Sequence, residues 1–154
     1  MTREQTITAL KKYFDIRELV SPAVFNKFGQ SAWKVFDTRL LETLLVLRRD
    51  ILQVPLVCNN WKSGGKLTQR GYRENVSDIV RQKTDNGSLY VSAHTLGQAV
   101  DLSSGKLSAD EMRSKVQAMK TKLPHPIRIE NGKDAPTWLH ADVMTDSTNP
   151  ITVF

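Results

Sequence analysis

Apolar positions along this chain keep a helical rhythm first and a strand rhythm later. Ile7, Leu10 and Phe14 recur at three- and four-residue intervals within residues 3–14, and Thr2 with Gln5 has the form of a capping box, so a helix is expected to start there. Ser21-Pro22 breaks that segment. After Asp37, the wide apolar face of Leu40, Leu41, Leu44, Leu45 and Leu47 predicts a second helix. Pro55 ends any helical reading, and Val54 to Cys58 is then expected as a buried strand. From Asn59 to Val91 the chain turns polar, with Gly64-Gly65, Gly71 and Asn86-Gly87 as turn signals. A loop-rich stretch of that length inside a small domain is expected to be functional or mobile.

The second half changes period. Ala99 to Leu102 reads as a short strand, and Ser108 with Glu111 opens a helix that carries Met112, Val116, Met119 and Leu123 on one face. Pro124 and Pro126 stop it. Ile127 with Ile129, and Trp138 to Val143, read as two further strands joined by the turn Asn131-Gly132-Lys133-Asp134. Helices first and strands later imply an α+β fold, with a small antiparallel sheet packed with helices. No internal repeat or low-complexity tract is present.

Composition narrows the classes. A chain of 154 residues fits a single domain over 1–154, and 40% apolar with 25% charged residues is too apolar for disorder. One cysteine excludes an intramolecular disulfide and any zinc site built from several thiolates. Cys58 lies in an apolar run and reads as a buried small hydrophobe. Metal ligands, if any, must then come from His94, His125, His140 and carboxylates. The net charge of +6 suits an anionic partner, but the basic residues are scattered in the manner of a solvated surface. The Lys62–Lys83 loop is the one region that hints at nucleic acid. The chain lacks a helix-turn-helix pattern, a zinc finger and aromatics interleaved on a basic face, so no nucleic-acid partner is expected. No apolar run approaches the roughly 18 residues of a membrane span, so no membrane insertion is expected. No apolar segment follows the polar start Met1-Thr-Arg-Glu-Gln-Thr either, which implies synthesis in the cytoplasm without a signal peptide.

The chemically informative stretch is Ser92-Ala-His94-Thr-Leu-Gly97-Gln-Ala99-Val-Asp101. Gly97 can turn the chain after His94, and a strand then begins. Ala99 and Asp101 share one face of that strand, because side chains repeat every two residues. Near the other end, Trp138, His140 and Asp142 alternate with Leu139, Ala141 and Val143 as a strand with one polar face would. If the two strands lie side by side, His94, Asp101 and His140 converge. Two imidazoles and one carboxylate leave a fourth zinc position for water, the open arrangement of a catalytic site. A histidine and an aspartate seven residues apart also occur by chance, so spacing alone leaves surface or core roles open.

Ser92-x-His94-x-x-Gly97-x-Ala99-x-Asp101 followed by Trp138-x-His140 resembles the paired motif of the M15 zinc metallopeptidases. These are the D-Ala-D-Ala carboxypeptidases and phage L-alanyl-D-glutamate endopeptidases, whose zinc fold is shared with the hedgehog signalling domain. Val57-Cys-Asn59-Asn60-Trp61, Gly64-Gly65 and Arg70-Gly71-Tyr72-Arg73 are similar to the upstream loop of phage and prophage members, so the likeness covers about residues 37–143. It implies zinc ligands at His94, Asp101 and His140, a substrate-binding Arg73, and a Ser92 that reaches the substrate or orients a ligand. Many relatives carry the catalytic carboxylate three residues before the last histidine, where this chain has Thr137. Hedgehog-type branches put it at the end of the preceding strand. That favours Glu130, with Asp134 as runner-up because it stands six residues before His140; either is otherwise a solvated turn carboxylate. Trp138 is read as packing beside the metal, Trp61 as cleft or core, and His125 as a surface residue.

The resemblance thus implies a zinc-dependent hydrolase of peptidoglycan stem peptides, monomeric and endolysin-like. Such an enzyme is made in the cytoplasm and acts at the bacterial cell wall, reached through a phage holin. The competing expectation is a non-catalytic zinc-containing binding module of the same fold.

Overall fold

Thr2 caps the first helix as its position suggests: its hydroxyl accepts from the Gln5 N–H while the Gln5 side chain bonds back to Thr2. In the computed structural model, which describes all 154 residues, this helix (α1) spans Arg3–Leu10. Four more α-helices follow: α2 at Pro22–Phe28, α3 at Thr38–Val46, α4 at Asp78–Asp85 and α5 at Ala109–Ala118. The strands are β1 at Ala99–Leu102, β2 at Ile127–Ile129, β3 at Leu139–Asp142 and β4 at Ile151–Val153. The fold class is α+β.

Ser21-Pro22 ends one segment but also starts α2, with Ser21 as cap and Pro22 in the first turn, where its missing N–H costs nothing. The leucine face of α3 is buried, and one turn of π-helix at Leu47–Leu52 extends it until Gln53 takes a left-handed conformation. Pro55 follows. Val54 to Cys58 is buried at Leu56 and Cys58 but is not a strand; it makes a single bridge between Val57 and Ser103. The physical reason lies at its two ends. Pro55 has no N–H to pair, and the Asn59 N–H turns away to the Glu18 carbonyl at 2.8 Å. The polar stretch after it contains α4, whose apolar face is too slight for periodicity to report, with only Val80 fully inside.

The sheet runs in the order β1-β3-β2-β4. β1 pairs antiparallel with β3, and β3 with β2, as an antiparallel sheet requires. β4 then joins β2 in parallel, so the sheet is mixed. β4 is three residues long and half-exposed, which gives it no alternation to read. One face of the sheet supplies Val100, Leu102, Ile127, Ile129, Leu139 and Ala141 to a 27-residue core shared with α1, α3 and α5. By alternation the other face carries Ala99, Asp101, Arg128, His140 and Asp142.

Asp37 ties these layers together. It caps α3, accepts from the Gln98 amide at 2.9 Å, and its own N–H donates to the Gly97 carbonyl at 2.9 Å. The Arg39 guanidinium, with Gln98 and the Arg39 N–H, outweighs burial and holds the Asp37 carboxyl at about 2. An unfolded aspartate titrates near roughly 3.9. The folded carboxylate therefore adds stability that is complete above that pH and disappears as pH falls toward about 2. Thermal melts of wild type and Asp37→Asn should differ most at neutral pH and converge in acid; a gap that stays constant with pH would deny the carboxylate this role.

Candidate metal centre

His94 sits in the turn between Ser92 and Gly97 that feeds β1. Ser92 and Thr95 close this turn by exchanging hydrogen bonds, so Ser92 is observed as a turn residue two places before His94. Gly97 is required there: its φ is +68°, and a Cβ would come within 2.0 Å of the Val35 carbonyl oxygen. The loop that precedes α4 is stitched to the same place. The Asp101 N–H donates to the Arg70 carbonyl at 2.8 Å, and the Arg73 N–H to the His94 carbonyl at 3.2 Å. Asn59 holds the other side, accepting from the Arg70 N–H at 3.0 Å and donating to Val20 O at 3.2 Å. Gly71 must be glycine, because a Cβ would lie 2.0 Å from the Leu19 carbonyl oxygen. These bonds cover the outer edge of β1, which would otherwise be open to another strand.

The β1–β3 register sets Asp101 opposite His140. The His140 Nδ1 lies 2.8 Å from Asp101 Oδ1, and the His94 Nε2 lies 3.4 Å from Asp101 Oδ2. His94, Asp101 and His140 are 4%, 6% and 8% exposed, and their ligand atoms all fall within 4.8 Å of one another. The His94 Nδ1–H donates to the Gly71 carbonyl at 2.8 Å, which leaves the Nε2 lone pair facing the cluster. These three residues form a buried cluster that can hold a metal ion. Its donors suit zinc in type, and the 3.4 Å between His94 Nε2 and Asp101 Oδ2 matches the roughly 3.4 Å that bonds of about 2.0–2.1 Å to tetrahedral zinc set between donors. The 2.8 Å pair of His140 and Asp101 must open to admit an ion.

Electrostatics agree with the geometry. Burial alone would raise the Asp101 carboxyl, but hydrogen bonds from His140 and His94 hold it well below the usual carboxylate range. Burial alone would lower His140, yet its bonds to Asp101 and Asp142 outweigh that and raise it to about 9. In the metal-free protein the two carboxylates thus favour the protonated ring of His140. A cation entering the cluster must displace that proton, since coordination takes the neutral ring.

Arg73 reaches the rim of the cluster. Its Nη2 is 3.5 Å from Asp101 Oδ2, while its Nε donates to the Gln69 carbonyl at 2.7 Å and its Nη1 to the Tyr90 hydroxyl at 2.8 Å. Beside it lies a cleft of about 310 Å³ lined by Lys66, Arg70, Arg73, Asp101 and Trp138. Arg70 stands over the Trp138 ring at 5.9 Å. Glu130 is half-buried and follows β2 directly; continuing the register of Arg128 opposite Asp142 and Ile129 opposite Ala141 sets it across from His140. Asp134 is exposed and accepts a 2.7 Å bond from Asn131 within the turn.

The remaining candidates lie elsewhere. His125 is half-buried and bonded to Glu42, away from the cluster. The Trp61 indole donates to Val20 O at 2.8 Å and tilts against Phe25, a packing role. Cys58 is fully buried, and burial pushes its thiol up. Sequence reasoning missed Tyr90, for which no local signal exists, and left Asp142 and Arg128 unassigned. Both of the latter lie at polar positions of an alternating strand, a signal that needs the strand pairing before it means anything. Together, fold and cluster define an α+β chain with a buried His/Asp/His constellation that can hold a metal ion. No family model matches this chain, and neither a curated protein nor a solved structure matches it.

Proposed function

We propose that this chain is a zinc-dependent peptidase of the M15 type that hydrolyses peptidoglycan stem peptides, an endolysin-like cell-wall enzyme. The buried His94, Asp101 and His140 cluster, at the motif spacing and beside a cleft with a basic wall, carries this reading. The chemistry such an ion supplies when bound is Lewis acidity, toward water and toward a scissile carbonyl. Glu130 takes the proton of the attacking water and returns it to the leaving amine, a task for a carboxylate beside the ligands but not among them. Lys66, Arg70 and Arg73 receive the free carboxylates of the stem peptide, and the planar guanidinium of Arg73 also faces the developing oxyanion.

No helix is long and apolar enough to cross a membrane. In this proposal the protein meets its substrate at the wall after release through a holin pore.

Metal content of the purified protein, followed by mass spectrometry of digested peptidoglycan, tests the reading. New amino termini or shortened stems support it, and their position separates endopeptidase from carboxypeptidase. Bound zinc without turnover would leave the non-catalytic binding module, which the missing carboxylate at Thr137 favours. Arg73→Ala should lower kcat/KM by about 10²–10³ with zinc retained, the size expected for a lost oxyanion donor. Unchanged kinetics would return Arg73 to the surface.

A further inference from the structure

His140 has two ring nitrogens, and only one faces the cluster. While Nδ1 points to Asp101, Nε2 lies 2.8 Å from Asp142 Oδ2. Asp142 is 1% exposed, and both of its oxygens are fully engaged. Oδ1 accepts from Arg128 Nε at 2.9 Å and from the Met144 N–H at 3.0 Å; Oδ2 accepts from Arg128 Nη2 at 3.1 Å and from His140. Arg128 lies 4.9 Å over the Phe154 ring, whose centroid is 5.7 Å from that of His140 at an interplanar angle of 88°.

We propose that Asp142, held by Arg128, is a positioning residue for the metal centre: it binds the Nε2–H of His140 and so keeps Nδ1 facing the space between Asp101 and His94, where its lone pair becomes available once an entering cation replaces the Nδ1 proton shared with Asp101. The proposal rests on the reading of His140 as a ligand. A neutral imidazole carries one proton, and its location decides which nitrogen can bind a cation. The opposite tautomer would set the Nε2 lone pair against the Asp142 carboxylate and aim an N–H into the cluster. Bidentate pairing with Arg128 is what lets a carboxylate stay charged at so buried a position. Four bonds fix the carboxylate, and the carboxylate fixes the ring. His94 solves the same problem with a neutral acceptor, the Gly71 carbonyl. The two imidazoles are therefore supported differently, and the one with an anionic partner is the more basic ligand.

Zinc dissociation constants from chelator competition, measured on wild type, Asp142→Asn and Asp142→Ala, test this, together with the visible spectrum of each protein loaded with Co²⁺. Loss of an outer partner of a ligating histidine weakens metal binding by about 10–100-fold. Asp142→Asn should fall near the lower figure and Asp142→Ala near the upper, each with an altered Co²⁺ spectrum as the ring reorients. A plain structural ion pair gives another result: lower melting temperatures for the metal-free variants, with affinity and spectrum unchanged. That outcome overturns the proposal. If Asp142→Ala does not fold, the near-isosteric Asp142→Asn carries the comparison. Wild-type protein that binds neither zinc nor Co²⁺ overturns the metal reading and this role with it, whereas a binding wild type with indifferent variants overturns the role of Asp142 alone.

Discussion

Zinc that co-purifies with the wild-type protein should be absent from His140→Ala. The variant leaves His94 and Asp101 as the only donors, too few to hold zinc in a site of this kind. A second effect accompanies it. The imidazole bridges Asp101 at 2.8 Å and Asp142 at 2.8 Å, and both side chains are almost sealed from water. Removing the shared partner of a buried pair costs about 3–5 kcal/mol. The Arg128 and Arg73 contacts offset part of that cost for Asp142 and Asp101, respectively. Elemental analysis of the purified variant checks the first effect and its melting temperature the second. Zinc retained at the wild-type level would remove His140 from the ligand set.

Glu130→Gln should keep its zinc and lose hydrolysis, by about 10²–10⁴-fold as expected for a lost general base. The amide keeps the shape of the side chain and cannot accept the proton. Asp134→Asn should be mild, because that side chain is exposed and spends itself on the Asn131 turn. Register argues in the same direction, since continuing the β2–β3 pairing one residue past the end of β2 sets Glu130 across from His140. Rates of stem-peptide cleavage at matched zinc loading check the pair. The reverse pattern, with Asp134→Asn inactive and Glu130→Gln active, would move the base to Asp134.

Much of the site can be read from short-range pattern. Glycine at 97 announces the turn that carries His94, and two-residue alternation sets Ala99 with Asp101 and His140 with Asp142. Capping boxes mark the starts of α1 and α5 because a hydroxyl and a carboxylate or amide three residues on satisfy the same local donors wherever the helix lies. Pattern fails where the partner is distant or the element is slight. Val54 to Cys58 has the composition of a buried strand, yet its neighbours offer it one bridge. β4 has too few residues to alternate, and α4 too little apolar surface to show a face.

The chain by itself determined the candidate donor types, their parity on two strands and the capped starts of α1, α3 and α5, all of which follow from backbone periods and local hydrogen bonding. Tertiary structure alone decided that β1 lies against β3, which brings Asp101 and His140 together from 39 residues apart. It also decided that Gly71 and Asp142 are the acceptors behind the two imidazoles, and that Arg128 neutralises Asp142. Those choices depend on which strand edges find each other while the apolar faces of β1, β2 and β3 reach the helical core. That is a property of the whole packed chain, and no window of the sequence contains it.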